Sequence, residues 1–86
     1  MTESAIPAGE FAKYVGTYRN GATTTQIVER DGKLFVRATE VWKGEGGWLI
    51  LKNADGRTMS RLFCVPGADG RIEYLHVGSR SLARAQ

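Results

Sequence analysis

The feature that most constrains this chain is Asp31-Gly32, set between two runs of β-favouring residues within 24–39. Asp-Gly takes the positive φ angles that a tight type I′ turn demands, so residues 24–39 are predicted to form a β-hairpin. On its second arm Leu34, Val36 and Ala38 alternate with Phe35, Arg37 and Thr39, giving one side for a core and one that carries charge into water. A lone hairpin is marginal in water, so this one must recruit further strands.

The rest of the chain supplies them. Pro7 suits the first position of a short helix, Glu10 its first turn and Lys13 its last, and Gly16 is expected to end it in a left-handed conformation. A helical turn is therefore predicted near 8–15, with Phe11 and Tyr14 as a plug over one end of a sheet or barrel. Residues 17–19 read as a strand, Asn20-Gly21 as a turn, and 40–42 as an extension of the hairpin's second arm. Residues 43–47 are too glycine-rich to hold regular structure cheaply and are read as a flexible connection. Strands follow at 48–52, 58–65, 71–77 and 79–85, separated by Asn53-Ala54-Asp55-Gly56 and by Pro66-Gly67-Ala68-Asp69-Gly70. Within 71–77, Ile72, Tyr74 and His76 are expected on one side and Leu75 and Val77 on the other. Turn signals at this spacing predict a mainly β antiparallel meander of six to eight strands, closed into a barrel or folded into a sandwich.

With 86 residues there is room for one domain, 1–86, and one core. Such a chain buries about 60–65% of its extended surface, so self-association or attachment to a larger domain is plausible from size alone. The apolar runs are short, which gives no membrane partner. Residues 1–7 have neither a basic start nor an apolar stretch, so no signal peptide is read and the chain as written is expected in the cytoplasm, although an excised domain with an added Met would read the same. The net charge of +3 comes from dispersed basic residues, a pattern that weighs against nucleic acid as the partner.

A family pattern lies over this frame. The run Phe11-Ala12-Lys13-Tyr14-Val15-Gly16-Thr17-Tyr18, then Asp31-Gly32-Lys33-Leu34-Phe35-Val36, Arg61-Leu62-Phe63 and Asp69-Gly70-Arg71-Ile72-Glu73-Tyr74-Leu75, resembles the small C-terminal domain appended to serine hydrolases of the β-lactamase and penicillin-binding class. The resemblance spans nearly the whole chain. It implies a lipocalin-like antiparallel barrel with a short N-terminal helical turn, a non-catalytic role, and a serine hydrolase domain as a partner.

No catalytic constellation is read from the residues. Neither the acylating Ser-x-x-Lys pair nor a Gly-x-Ser-x-Gly elbow occurs, so the chain is not expected to be an enzyme. One His and one Cys, twelve residues apart, make a metal site improbable, and no cofactor is expected. Cys64 in an apolar run reads as a buried inert thiol, and His76 as a packed or surface side chain rather than a base. Gly44-x-Gly46-Gly47 lacks the Lys-Ser/Thr and the helix of a phosphate loop.

Binding residues are sought among the aromatics. Tyr18, Phe35, Phe63 and Tyr74 are expected to line the barrel interior, as a packed core before a pocket. Trp42 and Trp48 are read first as core plugs and second as the exposed aromatic rim of a ligand mouth or subunit contact. Three functions follow in order: a non-catalytic accessory or interaction module, a carrier of a small apolar ligand, and a barrel that binds single-stranded nucleic acid through interleaved aromatic and basic residues.

Overall fold

A computed structural model describes residues 4–85, so Met1, Thr2 and Glu3, on which part of the N-terminal reading rests, lie outside the described residues, as does Gln86. A 3₁₀ turn, Ala8–Glu10, runs into the single helical turn α1, Phe11–Tyr14. Eight strands follow: β1 Gly16–Asn20, β2 Thr23–Arg30, β3 Lys33–Val36, β4 Thr39–Lys43, β5 Trp48–Lys52, β6 Thr58–Pro66, β7 Ile72–Val77 and β8 Arg80–Arg84. Each pairs antiparallel with the next, and β8 returns to β1, so the sheet is a closed barrel. Of the two architectures open to an antiparallel meander, the chain adopts the one that leaves no free sheet edge.

The turn at Asp31-Gly32 has φ of 52° and 77°, the double positive angle of the type I′ geometry, and sets Arg30 opposite Lys33. The second arm of the hairpin does not continue to Trp42. It ends at Val36, and a two-residue turn at Arg37-Ala38 reverses the chain into β4, with Val36 opposite Thr39. Arg37 holds φ 56° without being glycine, and two hydrogen bonds support the turn: Thr39 Oγ1 donates to the Val36 carbonyl and Arg30 Nη2 to that of Arg37, both at 2.6 Å. Gly16 does not cap the helix in a left-handed conformation; it opens β1 with φ 156°.

An eight-stranded barrel is just wide enough for side chains to fill. Here the filling is chiefly aliphatic: Ile27, Leu34, Val41, Leu49, Leu51, Leu62, Leu75 and Leu82, with Tyr18 and Cys64. Ile6, Phe11 and Tyr14 of the N-terminal segment belong to the same cluster, as expected of a plug. Leu34 and Val36 face this core as their alternation predicts, whereas Ala38, displaced into the turn, is exposed. The alternation fails in β7. Val65 pairs with Tyr74 but Pro66 with Ile72, so Glu73 is an extra residue, and past this bulge Ile72 turns into the core while Tyr74 and His76 stay outside.

Two seams in the barrel carry only two paired positions each. At β1–β8 these are Tyr18↔Arg84 and Arg19↔Ala83. Arg84 reinforces the seam: Nε donates to the Ile72 carbonyl (2.6 Å), Nη1 to that of Val15 (2.9 Å), and Nη2 to that of Lys13 (2.9 Å). At β3–β4 the pairs are Phe35↔Glu40 and Val36↔Thr39. Beyond them pairing stops, and the N-terminal segment meets β4 instead, through two backbone hydrogen bonds between Ser4 and Lys43 (2.9 and 2.8 Å). Residues 4–6 thus form a strap across the second seam.

Candidate functional site

The aromatic residues expected inside the barrel divide between its two faces. Tyr18 is fully buried in the core. Phe35, Phe63 and Tyr74 lie on the outer face, because their strand neighbours Leu34, Leu62, Cys64 and Leu75 take the inward positions. Trp42 and Trp48 are not core plugs either. Val41 and Leu49 point inward from β4 and β5, and the tryptophans beside them point out. In β5 and β6, which are apolar on both faces, the aliphatic side chains and Cys64 take the interior and the rings take the outer face.

The outward rings are ordered by strand register. Trp48 of β5 is opposite Phe63 of β6, and Phe63 is opposite His76 of β7, so the three form a row across three strands. Trp48 meets Phe63 edge-on with ring centroids 5.2 Å apart, and Phe63 and His76 lie 6.3 Å apart, tilted by 32°. Cross-strand aromatic pairs of this kind are favourable contacts. One step along the ladder, Val65 and Tyr74 are paired on the same face. Trp48 and Tyr74 remain 41% and 40% exposed, so the row is a surface with side chains still open to a partner.

Ile50, in line with Trp48 by period two, is fully buried yet stands apart from the interior cluster. Gly44 packs on it: a Cβ there would lie 3.1 Å from Ile50 Cδ1. The 43–47 connection is therefore fitted against the barrel's outside. At Gly47 a Cβ would come within 2.9 Å of the Cys64 carbonyl, and the Gly47 carbonyl accepts from the Cys64 amide at 2.8 Å. Ile50 and the 43–47 connection thus form a second, small apolar layer beside the outward aromatics. The signal was present in the period-two set Trp48, Ile50 and Phe63, Val65.

A groove of about 250 Å³ lies on the outer face of β3–β5, between Phe35 and Trp42. Cations cover both rings: the Arg30 guanidinium lies 4.5 Å from the Phe35 centroid and Lys52 Nζ lies 4.8 Å from that of Trp42. Glu40 also lines the groove, and its carboxylate would repel a phosphate backbone laid along it.

Cys64 is buried, and burial pushes its thiol up to about 12, away from the thiolate a nucleophile requires. His76 sits on the outer face against Phe63. Among the described residues no group of three His, Cys, Asp or Glu side chains converges as metal ligands. Glu10 and Lys43 form an ion pair at 2.9 Å beside the strap; its hydrogen bond lowers the Glu10 pKa and raises that of Lys43. Among the described residues no helix is long and apolar enough to cross a membrane. Comparison with family models, with curated proteins and with solved structures found no match to this chain.

Proposed function

We propose that this barrel is a non-catalytic accessory module that docks, through the outer aromatic row of β5–β7, onto a serine hydrolase domain of the β-lactamase and penicillin-binding class. The observation that carries the reading is the Trp48–Phe63–His76 row, aligned across three strands and half open to solvent. Partly exposed tryptophan and tyrosine are the side chains most often found at the centre of protein contacts. The partner class comes from the Tyr14-Val15-Gly16-Thr17-Tyr18 and Asp31-Gly32-Lys33-Leu34 motifs. A carrier role is less well supported, since an interior of this size packed with aliphatic side chains has little space for a ligand.

Hydrogen–deuterium exchange tests the reading. The chain is followed alone and mixed with a purified hydrolase domain of that class. Slower exchange in peptides covering β5, β6 and β7, reversed by the Trp48→Ala, Phe63→Ala double variant, is the expected result. Unchanged exchange on those strands at saturating hydrolase contradicts it.

A further inference from the structure

Part of β2 is paired on one side only. β2 runs eight residues and β3 four, and pairing between them covers Val28↔Phe35, Glu29↔Leu34 and Arg30↔Lys33. The chain then leaves β2 at the Arg37-Ala38 turn, so residues 23–27 pair with β1 alone. Register gives the direction of their main-chain groups. Asn20↔Thr23 and Arg30↔Lys33 close two-residue turns and are hydrogen-bonded pairs, so Thr23, Thr25 and Ile27 bond to β1 while Val28 and Arg30 bond to β3. By the same period of two, the N–H and C=O of Thr24 and Gln26 point to the side where β3 is missing, and among the described residues no backbone group meets them there. Thr24 and Gln26 are exposed, and a surface groove of about 370 Å³ lies beside them, lined by Thr24, Gln26, Val28, Arg30 and Arg37.

We infer that this free edge takes an extended acidic peptide of a partner protein, added as a strand antiparallel to β2 where β3 stops short. The main chain supplies the attachment, since an edge with unpaired N–H and C=O groups is a template for strand addition. Charge selects the occupant. The groove is lined by two guanidiniums and no carboxylate, and Arg19, opposite Thr24 on β1, adds a third on the same face. Arg30 is held by its bond to the Arg37 carbonyl and by the Phe35 ring, whereas the Arg37 guanidinium has no partner among the described residues. Peptide residues opposite Gln26 and Thr24 share the outer face with these arginines, which calls for Asp or Glu two positions apart. The residue between them faces inward opposite Thr25, where a threonine pairs well. A second copy of this chain fits less well, because edge-to-edge pairing would bring two sets of arginines together. Arg37 holds a left-handed backbone without being glycine, and a role in the groove gives that strain a reason. The edge shares no residue with the β5–β7 row and stands independently of the docking proposal.

The test is a titration of acetyl-Glu-Thr-Glu-Thr-Glu-amide into isotope-labelled protein, followed by amide shifts and amide hydrogen exchange, with acetyl-Lys-Thr-Lys-Thr-Lys-amide as the counterpart of opposite charge. Saturable shifts centred on 23–27 and Arg37 are expected, with slowed exchange of the Thr24 and Gln26 amides and a dissociation constant on the order of 0.1–1 mM. The basic peptide should bind roughly tenfold or more weakly. Arg37→Gly should weaken the acidic peptide by about fivefold or more without lowering the thermal midpoint. Thr24→Pro removes an edge N–H that pairing with β1 does not use, and should weaken the peptide by about as much. Absence of saturable shifts at about 10 mM acidic peptide overturns the proposal, as do shifts centred on Trp48 and Phe63. Equal affinity for the basic peptide overturns the part given to the arginines. Thr24 exchange that slows with protein concentration alone assigns the edge to a second copy and overturns the proposal as well. Should Thr24→Pro fail to fold, Arg37→Gly and the exchange map of the parent chain decide.

Discussion

Arg84 and Tyr18 face each other across the seam that closes the barrel, and Arg84 Nη2 donates to Tyr18 Oη at 2.7 Å while its guanidinium lies 5.0 Å from the ring centre. Tyr18 Oη in turn donates to the Tyr14 carbonyl at 2.6 Å. One side chain on the last strand thereby ties the first strand to the helical turn. Removing it leaves the Tyr18 hydroxyl and several carbonyls without their donor, so Arg84→Ala should cost about 2–4 kcal/mol and Tyr18→Phe about 1–2 kcal/mol. Lysine keeps the charge but not the planar fork, and Arg84→Lys should recover less than half of the loss. Urea midpoints check all three; an Arg84→Ala midpoint equal to the parent's contradicts the seam's dependence on this residue.

Alkaline pH should weaken the fold through two buried acids. Burial raises the Tyr18 hydroxyl from 10.0 to about 12 and the Cys64 thiol from 9.0 to about 12. The folded chain holds both protons where the unfolded chain has begun to release them. The stability they contribute is fully present below the unfolded values and declines as pH rises toward 12, at up to about 1.4 kcal/mol per pH unit for each group. Denaturant midpoints between about pH 8 and 11 should fall less steeply in Cys64→Ala than in the parent. Identical slopes would contradict the assignment.

Arg37 pays a backbone cost that glycine would not, with φ at 56°. The Arg30 bond to its carbonyl does not involve the Arg37 side chain, so Arg37→Gly keeps it. Calorimetry should show a gain of about 0.5–1 kcal/mol; a loss of that size would mean that the Arg37 side chain holds the turn.

The layer beneath the outward aromatics should behave as core. Ile50→Ala should cost about 2–4 kcal/mol although Ile50 lies outside the interior cluster. Gly47→Ala, which drives a Cβ toward the Cys64 carbonyl, should cost about 1–3 kcal/mol. Chemical denaturation of both variants measures this, and changes under about 0.5 kcal/mol would place these residues in ordinary surface loops.

Much of the architecture was legible because it is local. Asp31-Gly32 and the Leu34/Val36 alternation need only a turn preference and a two-residue period, and both hold in the barrel. The Arg37-Ala38 turn was invisible for the opposite reason. It has neither glycine nor asparagine, and it is held by Arg30 from the neighbouring strand. Tyr18 lies inside as expected, but Phe63 and Tyr74 were assigned to the wrong face because 61–65 and 72–77 carry apolar side chains on both sides, and composition alone does not say which set turns inward. The Glu73 bulge then reversed Ile72 against Tyr74. Arg84 and the strap at Ser4 escaped notice because their partners lie far away in sequence, at residues such as Val15 and Lys43.

The central claim is that aliphatic side chains fill this barrel and its tryptophans stand outside. Iodide quenching of the two tryptophans, separated by Trp42→Phe and Trp48→Phe variants, tests it most directly. Trp48, 41% exposed, should be quenched strongly in the folded chain and Trp42, partly covered by Lys52, less so. A Trp48 that iodide reaches only after unfolding would contradict the account.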